Sequence, residues 1–160
     1  MAKLDYVEDL YHDWNDGGRS AGGAAQRIEA EFDHVRAELG DLPGVVSSPT
    51  RLRSMLQHLT CTLYPGILND CFHQAETAVC GKKATAHRRL LPMLDMCLRC
   101  PNSRRSAIHP PRLARARAQV YRDFPDHDTL PPLQQIAISE HLATLTRLIA
   151  EIHDESNGFA

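Results

Sequence analysis

One segment of the sequence, from Cys71 to His109, constrains the fold more than any other. Four of the five cysteines lie in it, and the last two, Cys97 and Cys100, form a Cys-x-x-Cys pair. Such a pair can place two thiolates on one tetrahedral metal ion, and a second, distant pair completes the shell. Cys71 and Cys80 supply that second pair, although the eight residues between them exceed the usual two to four. The segment therefore predicts a structural Zn²⁺ site held by all four cysteines.

Histidines near the cysteines offer alternative ligands. His109 follows Cys100 by nine residues and would replace one cysteine, in the first instance Cys71, to give a Cys₃His site. His73 and His87 are weaker candidates. The alternative to any metal site is a set of buried or redox-active cysteines. No strand–helix pattern of the thioredoxin type precedes the Cys-x-x-Cys pair, which favours zinc, an ion that accepts four soft or borderline ligands.

The hydrophobic periodicity of the chain predicts an all-α fold. With 160 residues and 42% apolar residues, the chain suits one irregular helical domain over 1–160, with five or six helices around a core rich in leucine and alanine. The zinc-binding segment, at about 61–110, would form a central zinc knuckle that holds the middle of this domain together. No segment shows the alternation of a strand. The helices are expected at residues 3–15, 21–39, 49–61, 84–96, 111–123 and 132–153.

The sequence lacks the marks of a membrane or exported protein. No run approaches 18 consecutive apolar residues, and the first residues, MAKLDYVEDLYHDW, are acidic without a long apolar stretch. The protein is therefore expected in the cytoplasm, where thiols stay reduced and clustered cysteines more often bind metal than form disulfides. The fifth cysteine, Cys61, is expected to be a buried free thiol.

Charge is distributed unevenly although the net charge is only −2. Residues 82–122 carry eleven basic residues and one acid, whereas residues 1–42 and 123–160 are acidic. A basic block of this kind is a typical electrostatic footprint for phosphates, so DNA is the predicted partner. The alternative is that the block pairs with the acidic flanks of the same chain or of a second copy. The predicted phosphate contacts are Arg104, Arg105, Arg112 and Arg115.

Two apolar stripes at helical spacing lie within residues 21–39 and 138–152. Both have heptad-like steps of four and three residues. The second stripe is widened by Leu133 and Leu148, which suits core packing better than a two-stranded coiled coil. Both stripes are therefore interpreted as core faces, with a homodimer or protein-partner interface as the alternative.

A longer pattern surrounds the cysteines. It consists of Tyr64-Pro65-Gly66, Leu68, Cys71, Cys80, Cys97, Cys100 and Asn102, with the predicted helix 132–153 behind it. This pattern resembles a cysteine-bearing segment of large recombinase-associated proteins from mobile elements of high-GC bacteria, and it covers about residues 64–150. The resemblance implies an accessory, DNA-associated zinc module. It does not imply recombinase activity, because 160 residues are too few for a tyrosine-recombinase catalytic domain and Tyr121 sits in no recognisable active-site context.

Catalytic motifs are absent from the sequence. The zinc deaminases need His-x-Glu and Pro-Cys-x-x-Cys, but here Glu76 follows His73 by three residues and no proline precedes Cys97. The sequence contains no His-Glu-x-x-His, Walker A or Gly-x-Ser-x-Gly motif. Four protein ligands would also leave zinc no open position for a substrate. The sequence thus predicts a non-enzymatic, zinc-containing DNA-binding or transcription-regulating accessory protein. The alternative is a zinc-stabilised protein-interaction module without nucleic-acid binding.

Overall fold

The computed structural model of the chain describes residues 2–80 and 94–156, and this part of the chain is mostly helical. The prediction of a predominantly helical fold is therefore confirmed. The six α-helices of the described residues are α1 (Lys3–Asn15), α2 (Ala25–Leu39), α3 (Pro49–Leu56), α4 (Leu94–Leu98), α5 (Pro110–Asp123) and α6 (Pro132–Ser156). Short 3₁₀ helices cover Gln57–Cys61 and His127–Thr129.

The prediction of a fold without strands is wrong. Three short strands, β1 (Leu63–Tyr64), β2 (Asp70–Phe72) and β3 (Ser103–Arg104), form an antiparallel sheet in the order β1-β2-β3. Strands of two or three residues are too short to show an alternating pattern, so the sequence could not reveal them. The sheet matters because it joins the regions before and after the cysteines.

Most helix boundaries agree with the sequence, but two depart from it. The helix predicted over 49–61 is α-helical only to Leu56 and continues as the 3₁₀ helix Gln57–Cys61. α2 begins at Ala25 rather than residue 21, because Ala21 forms a β-bridge with Arg105 and Gly22 has a φ of +105°. A Cβ on Gly22 would lie 2.5 Å from the carbonyl oxygen of Ser103, so only glycine allows this approach. The predicted helix at 84–96 lies almost entirely outside the described residues, which resume with α4.

The first apolar cluster is formed by α1, α2, α3 and the first two strands. Tyr11 and Phe32 lie at its centre as an edge-to-face pair with ring centroids 5.5 Å apart. Ile28 and Leu56 are fully or nearly fully buried beside them. The predicted core stripe at 21–39 is therefore confirmed, since its apolar residues face this cluster.

The second apolar cluster lies in the helical hairpin of α5 and α6. Its buried members are Leu98, Leu113, Leu145 and Leu148, so the stripe at 138–152 also serves the core. The first turns of α6 are different, because the side chain of Leu133 is 82% exposed there. Across the described residues, no helix is both long and apolar enough to cross a membrane.

A buried polar layer connects the two apolar clusters. It comprises Asn69, Asp70, Asn102, Ser103, Arg104, Arg105, Ser106 and His109, each at most 9% exposed. Most of its members belong to β2, β3 or the residues next to them. Tyr6 of α1 donates its hydroxyl to both carboxylate oxygens of Asp70 at 3.0 Å, and Arg105 donates to Glu151 of α6 at 2.6 Å. The layer therefore binds the N-terminal helices to the C-terminal hairpin.

Candidate functional site

Pairing of β2 with β3 brings the two halves of the cysteine segment together. Cys71 lies opposite Ser103, which directly follows the turn that contains Cys97 and Cys100. Within this turn the Cys100 amide donates to the Cys97 carbonyl at 3.2 Å, and the Ser103 amide donates to the Cys100 carbonyl at 2.9 Å. Main-chain geometry thus places Cys71 beside the Cys-x-x-Cys pair.

All four candidate cysteines line one small cavity. Cys71, Cys80, Cys97 and Cys100 share it, and the other lining residues are Asn69, Met96, Asn102 and Ser103. Its volume is about 20 Å³, close to the ~10–15 Å³ that a single water molecule needs. The cavity is therefore of a size for one ion among the sulfurs rather than for an organic substrate.

Asn102 connects the two cysteine-bearing loops across this cavity. The side chain is 1% exposed. Its amide nitrogen donates to the carbonyl of Gln74 at 2.9 Å, and its oxygen accepts from the hydroxyl of Thr77 at 2.8 Å. Residues 74 and 77 lie between Cys71 and Cys80, so Asn102 positions the first cysteine pair from the turn that carries the second. Both of these hydrogen bonds go to the neighbouring loop.

Two thiols of the cavity, those of Cys71 and Cys97, have raised pKa values. Burial, together with the neighbouring Cys100, Cys97 and Cys80, raises the pKa of Cys71 to about 11. Burial also raises the pKa of Cys97, with smaller contributions from Cys80 and Cys100. Arg27 opposes the shift at Cys71 only weakly. A divalent cation would reverse this balance, because a coordinating thiol loses its proton to the metal.

The sulfurs share a cavity but do not form a closed ligand shell. Among the residues that the structure describes, no three His, Cys, Asp or Glu side chains are arranged to hold a metal ion.

The fifth cysteine, Cys61, is exposed, so the prediction of a buried free thiol is wrong. Cys61 ends the 3₁₀ helix after α3.

The candidate histidines lie away from the thiol cavity or outside the described residues. The Nδ1 atom of His109 accepts a hydrogen bond from the Ser106 amide at 3.0 Å, and its Nε2 lies 3.8 Å from Asp70. His109 is therefore not among the residues that line the cavity. The ring of His73 packs edge-on against Tyr64 with centroids 6.3 Å apart. His87 lies outside the described residues.

The polar layer next to the cavity holds one ionisable residue, Asp70, that the sequence analysis did not single out. Burial raises the pKa of Asp70, while the Tyr6 hydroxyl and Arg104 oppose the shift. Burial lowers the pKa of His109 to about 4, so its ring is neutral at pH 7 and its approach to Asp70 is no ion pair. Asp70 directly precedes a cysteine, but no local pattern in the sequence distinguishes it from a solvated loop residue.

Two of the four predicted phosphate contacts are buried. Arg104 is 1% exposed and Arg105 2% exposed. Burial lowers the pKa of Arg104, and Asp70 is the nearest opposing influence. Arg105 pairs with Glu151 and also donates to the carbonyl of Leu98. Arg105 thus pairs with the acidic C-terminal flank, as the alternative to phosphate binding anticipated. Both guanidinium groups lie in the interior, and in this conformation they do not reach a DNA backbone.

The other two predicted contacts are on the surface of α5. Arg112 and Arg115 are exposed, and so is Arg122 at the end of the same helix. In the described part of the chain none of these three guanidinium groups pairs with a carboxylate. Arg122 donates instead to the side chain of Gln119 at 2.6 Å, and that amide donates to Asp123. The positive charge of α5 is thus largely uncompensated.

Comparison with known proteins adds no further constraint. No protein-family model, curated protein or solved structure matches this chain.

Proposed function

We propose that the protein is a zinc-containing DNA-binding accessory protein whose metal site is structural. The observation that carries the zinc site is the shared cavity of Cys71, Cys80, Cys97 and Cys100. Four thiolates around one ion in this cavity would form a tetrahedral Cys₄ shell, the arrangement typical of structural zinc. Zinc would supply the positive charge that lets the buried thiols ionise, and its binding energy would add to the stability of the fold.

The proposed ligand set has a structural purpose. Cys71 belongs to the sheet, whereas Cys97 and Cys100 belong to α4 and the turn that follows it. A metal held by all four cysteines would cross-link two regions that otherwise meet only through short strands and buried polar groups. Four protein ligands would leave no open position on the ion, so a role in catalysis is not proposed.

DNA binding is assigned to the exposed face of α5. Helical geometry places Arg112, Arg115 and Arg122 within an arc of about 80° along about 15 Å of the helix. DNA carries roughly one phosphate charge per 1.7 Å of its axis, so three such groups can meet backbone phosphates together. This proposal keeps Arg112 and Arg115 from the sequence analysis and replaces the buried Arg104 and Arg105 with Arg122.

A protein-interaction module is the second candidate function. The observation in its favour is a group of exposed apolar side chains around the end of α5 and the start of α6. Tyr121, Phe124, Leu133 and Ile136 are 42–82% exposed there. Exposed apolar residues in a group can mark a protein interface, whereas scattered ones are ordinary. The zinc site would be the same under either function.

The metal is tested by elemental analysis of the reduced, purified chain, with thiol titration before and after a strong chelator. The expected result is one zinc per chain and four thiols that become reactive only after chelation, beside the exposed Cys61. Release of three thiols would require another fourth ligand, and His109→Asn would then have to abolish zinc binding. A metal-free chain with five freely reactive thiols would contradict the zinc proposal.

DNA binding is tested by fluorescence anisotropy on duplex DNA at several salt concentrations. Three phosphate contacts predict that log K falls with log salt with a slope of about −2.7, and that Arg115→Ala reduces the slope by about one. Arg51→Ala, which removes an exposed arginine of α3, is the matched control and should leave the slope unchanged. Absence of binding at low salt would refute the proposal of DNA binding and leave the protein-interaction module as the candidate function. Leu133→Ser should then weaken binding to the protein partner.

A further inference from the structure

A second, larger cavity lies on the other side of the Cys-x-x-Cys turn. Its volume is about 590 Å³, and it opens where the residues before α2, the turn after α4 and the last turns of α6 meet. Small-molecule sites usually measure roughly 300–1,000 Å³. The charged residues of its lining are Arg99, Arg105, Arg147 and Glu151.

The lining carries an excess of positive charge. Three guanidinium groups face one carboxylate, so the net formal charge is +2. Glu151 is shared, since both Arg105 and Arg147 donate to it. Arg99 donates to the hydroxyl of Thr144 at 2.5 Å and has no carboxylate partner in the described residues. One carboxylate therefore leaves much of the hydrogen-bonding capacity of the three arginines unused.

Arg105 is the buried anchor of this arrangement. It is 2% exposed, and its Nη atoms bond Glu151, the Leu98 carbonyl and the Ser103 hydroxyl. Its Nε has no hydrogen-bond partner among the described residues. A buried guanidinium with an unused donor normally finds an acceptor, because leaving the donor unpaired costs free energy. Arg105 lines the cavity, so an anion bound there would lie beside its positive charge.

The N-terminus of α2 contributes a second source of positive potential. Gly22 and Gly23, just before this helix, line the cavity, and no hydrogen bond from either amide is found within the described residues. The helix has no side-chain cap and no acidic residue in its first turn, although most helices carry such a group. Backbone N–H groups at an uncapped helix start are suited to bind a phosphate oxygen.

We infer that this cavity binds a phosphate monoester. A monoester carries a charge of about −1.5 to −2 at pH 7, which matches the excess charge of the lining. Arginine forks bind phosphate oxygens in pairs, and the glycine amides offer further donors. The apolar residues of the lining, Leu98, Pro101 and Leu148, provide a surface for the organic group that the phosphate carries. This site is separate from the exposed face of α5 and does not depend on DNA binding there.

The test is isothermal calorimetry of the full, metal-loaded chain with inorganic phosphate, ribose 5-phosphate and ribose as probes. Ribose 5-phosphate is expected to bind more tightly than inorganic phosphate, and ribose is expected not to bind. Arg99→Gln and Arg147→Gln should each weaken binding about tenfold, because each removes charge-assisted hydrogen bonds. Arg51→Gln, which lies outside the lining, should bind as the unmodified chain does. Equal affinity in all variants, or no binding of either phosphate, would overturn the inference.

Glu151→Gln separates a role in binding from a role in folding. This change removes the only carboxylate that the described residues contribute to the lining, so phosphate should bind several-fold more tightly. The melting temperature should fall at the same time, because buried Arg105 loses its ionic partner. Weaker phosphate binding by this variant would overturn the inference even if the fold is intact.

The source of the phosphate can be distinguished in the same assay. A duplex with 5′-phosphorylated ends presents the same monoester group as a sugar phosphate does. Competition by this duplex, but not by one with 5′-hydroxyl ends, would assign the site to DNA ends. Binding of ribose 5-phosphate without such competition would assign it to a free metabolite. Zinc content is measured in every variant, because Cys100 also borders this cavity.

Discussion

Truncation of Asn102 tests whether the two cysteine loops depend on each other. Asn102→Ala removes the hydrogen bonds to Gln74 and Thr77. Each such bond contributes about 0.5–1.5 kcal/mol, so together they contribute about 1–3 kcal/mol. Gln74 and Thr77 are exposed, so water takes over their unpaired groups and the expected loss is about 1–2 kcal/mol. Under the proposed zinc site, Asn102 would position the ligands without binding the metal itself, and its loss should lower the apparent zinc affinity about 10–100-fold.

Asn69→Ala is the matched control for this substitution. Asn69 lines the same cavity and is nearly as buried, but within the described residues its side chain donates only to the carbonyl of the next residue, Asp70. The control should cost about 0.5–1.5 kcal/mol and change zinc affinity much less. Urea denaturation measures the first quantity, and competition with a chromophoric chelator measures the second. Equal loss of zinc affinity in the two variants would refute the argument that the bridge between the loops positions the ligands.

Two further predictions concern the core and the polar layer. Leu145→Ala should cost about 2–5 kcal/mol in urea denaturation, because Leu145 is fully buried, whereas Leu133→Ala on the same helix should change stability by less than about 0.5 kcal/mol. For His109, the folded pKa of about 4 lies below the ordinary value near 6.5, so the unfolded chain takes up its proton first as the pH falls. The free energy of unfolding should therefore decrease between pH 6.5 and 4 by at most about 3 kcal/mol. The raised pKa of Asp70 opposes this loss, because the folded carboxyl is protonated before the unfolded one. The loss should be smaller in His109→Asn. Release of the proposed zinc ion at low pH would affect both proteins alike, so equal pH profiles would contradict the assignment of the loss to His109.

The helices were predictable because their signals are local. In α6 the steps between Ile138, Leu142, Leu145 and Ile149 repeat the helical period. The structure buries Leu142 and Leu145 and packs Ile149 against the second apolar cluster. The four cysteines line one cavity, as their spacing along the chain suggested. Whether they bind one metal ion stays a prediction. The strands carry no such signal, since a segment of two or three residues has no period.

The burial of Arg104 and Arg105 was not predictable from their neighbours. Both lie in Ser-Arg-Arg-Ser, a composition typical of a solvated loop. Their environment is set by residues distant in the chain, since Asp70 meets Arg104 through strand pairing and Glu151 follows Arg105 by 46 residues. Tyr6, which completes the Asp70 contacts, is 64 residues away from it. The neighbouring residues in the sequence reveal the excess of positive charge. They do not reveal which of the arginines are buried and which are exposed.

The proposed zinc ligands and the polar layer belong to one structural unit, because the same strand pairing positions residues of both. The register that sets Cys71 opposite Ser103 also sets Asp70 opposite Arg104. Arg104 is costly to bury, since its Nε and Nη1 lack partners among the described residues. Metal ligation across this pairing would offset that cost with free energy that only the folded chain can gain. The chain can then keep a charged layer between two small apolar clusters. Without the metal, the cost of burying this layer would favour separation of the hairpin from the N-terminal helices.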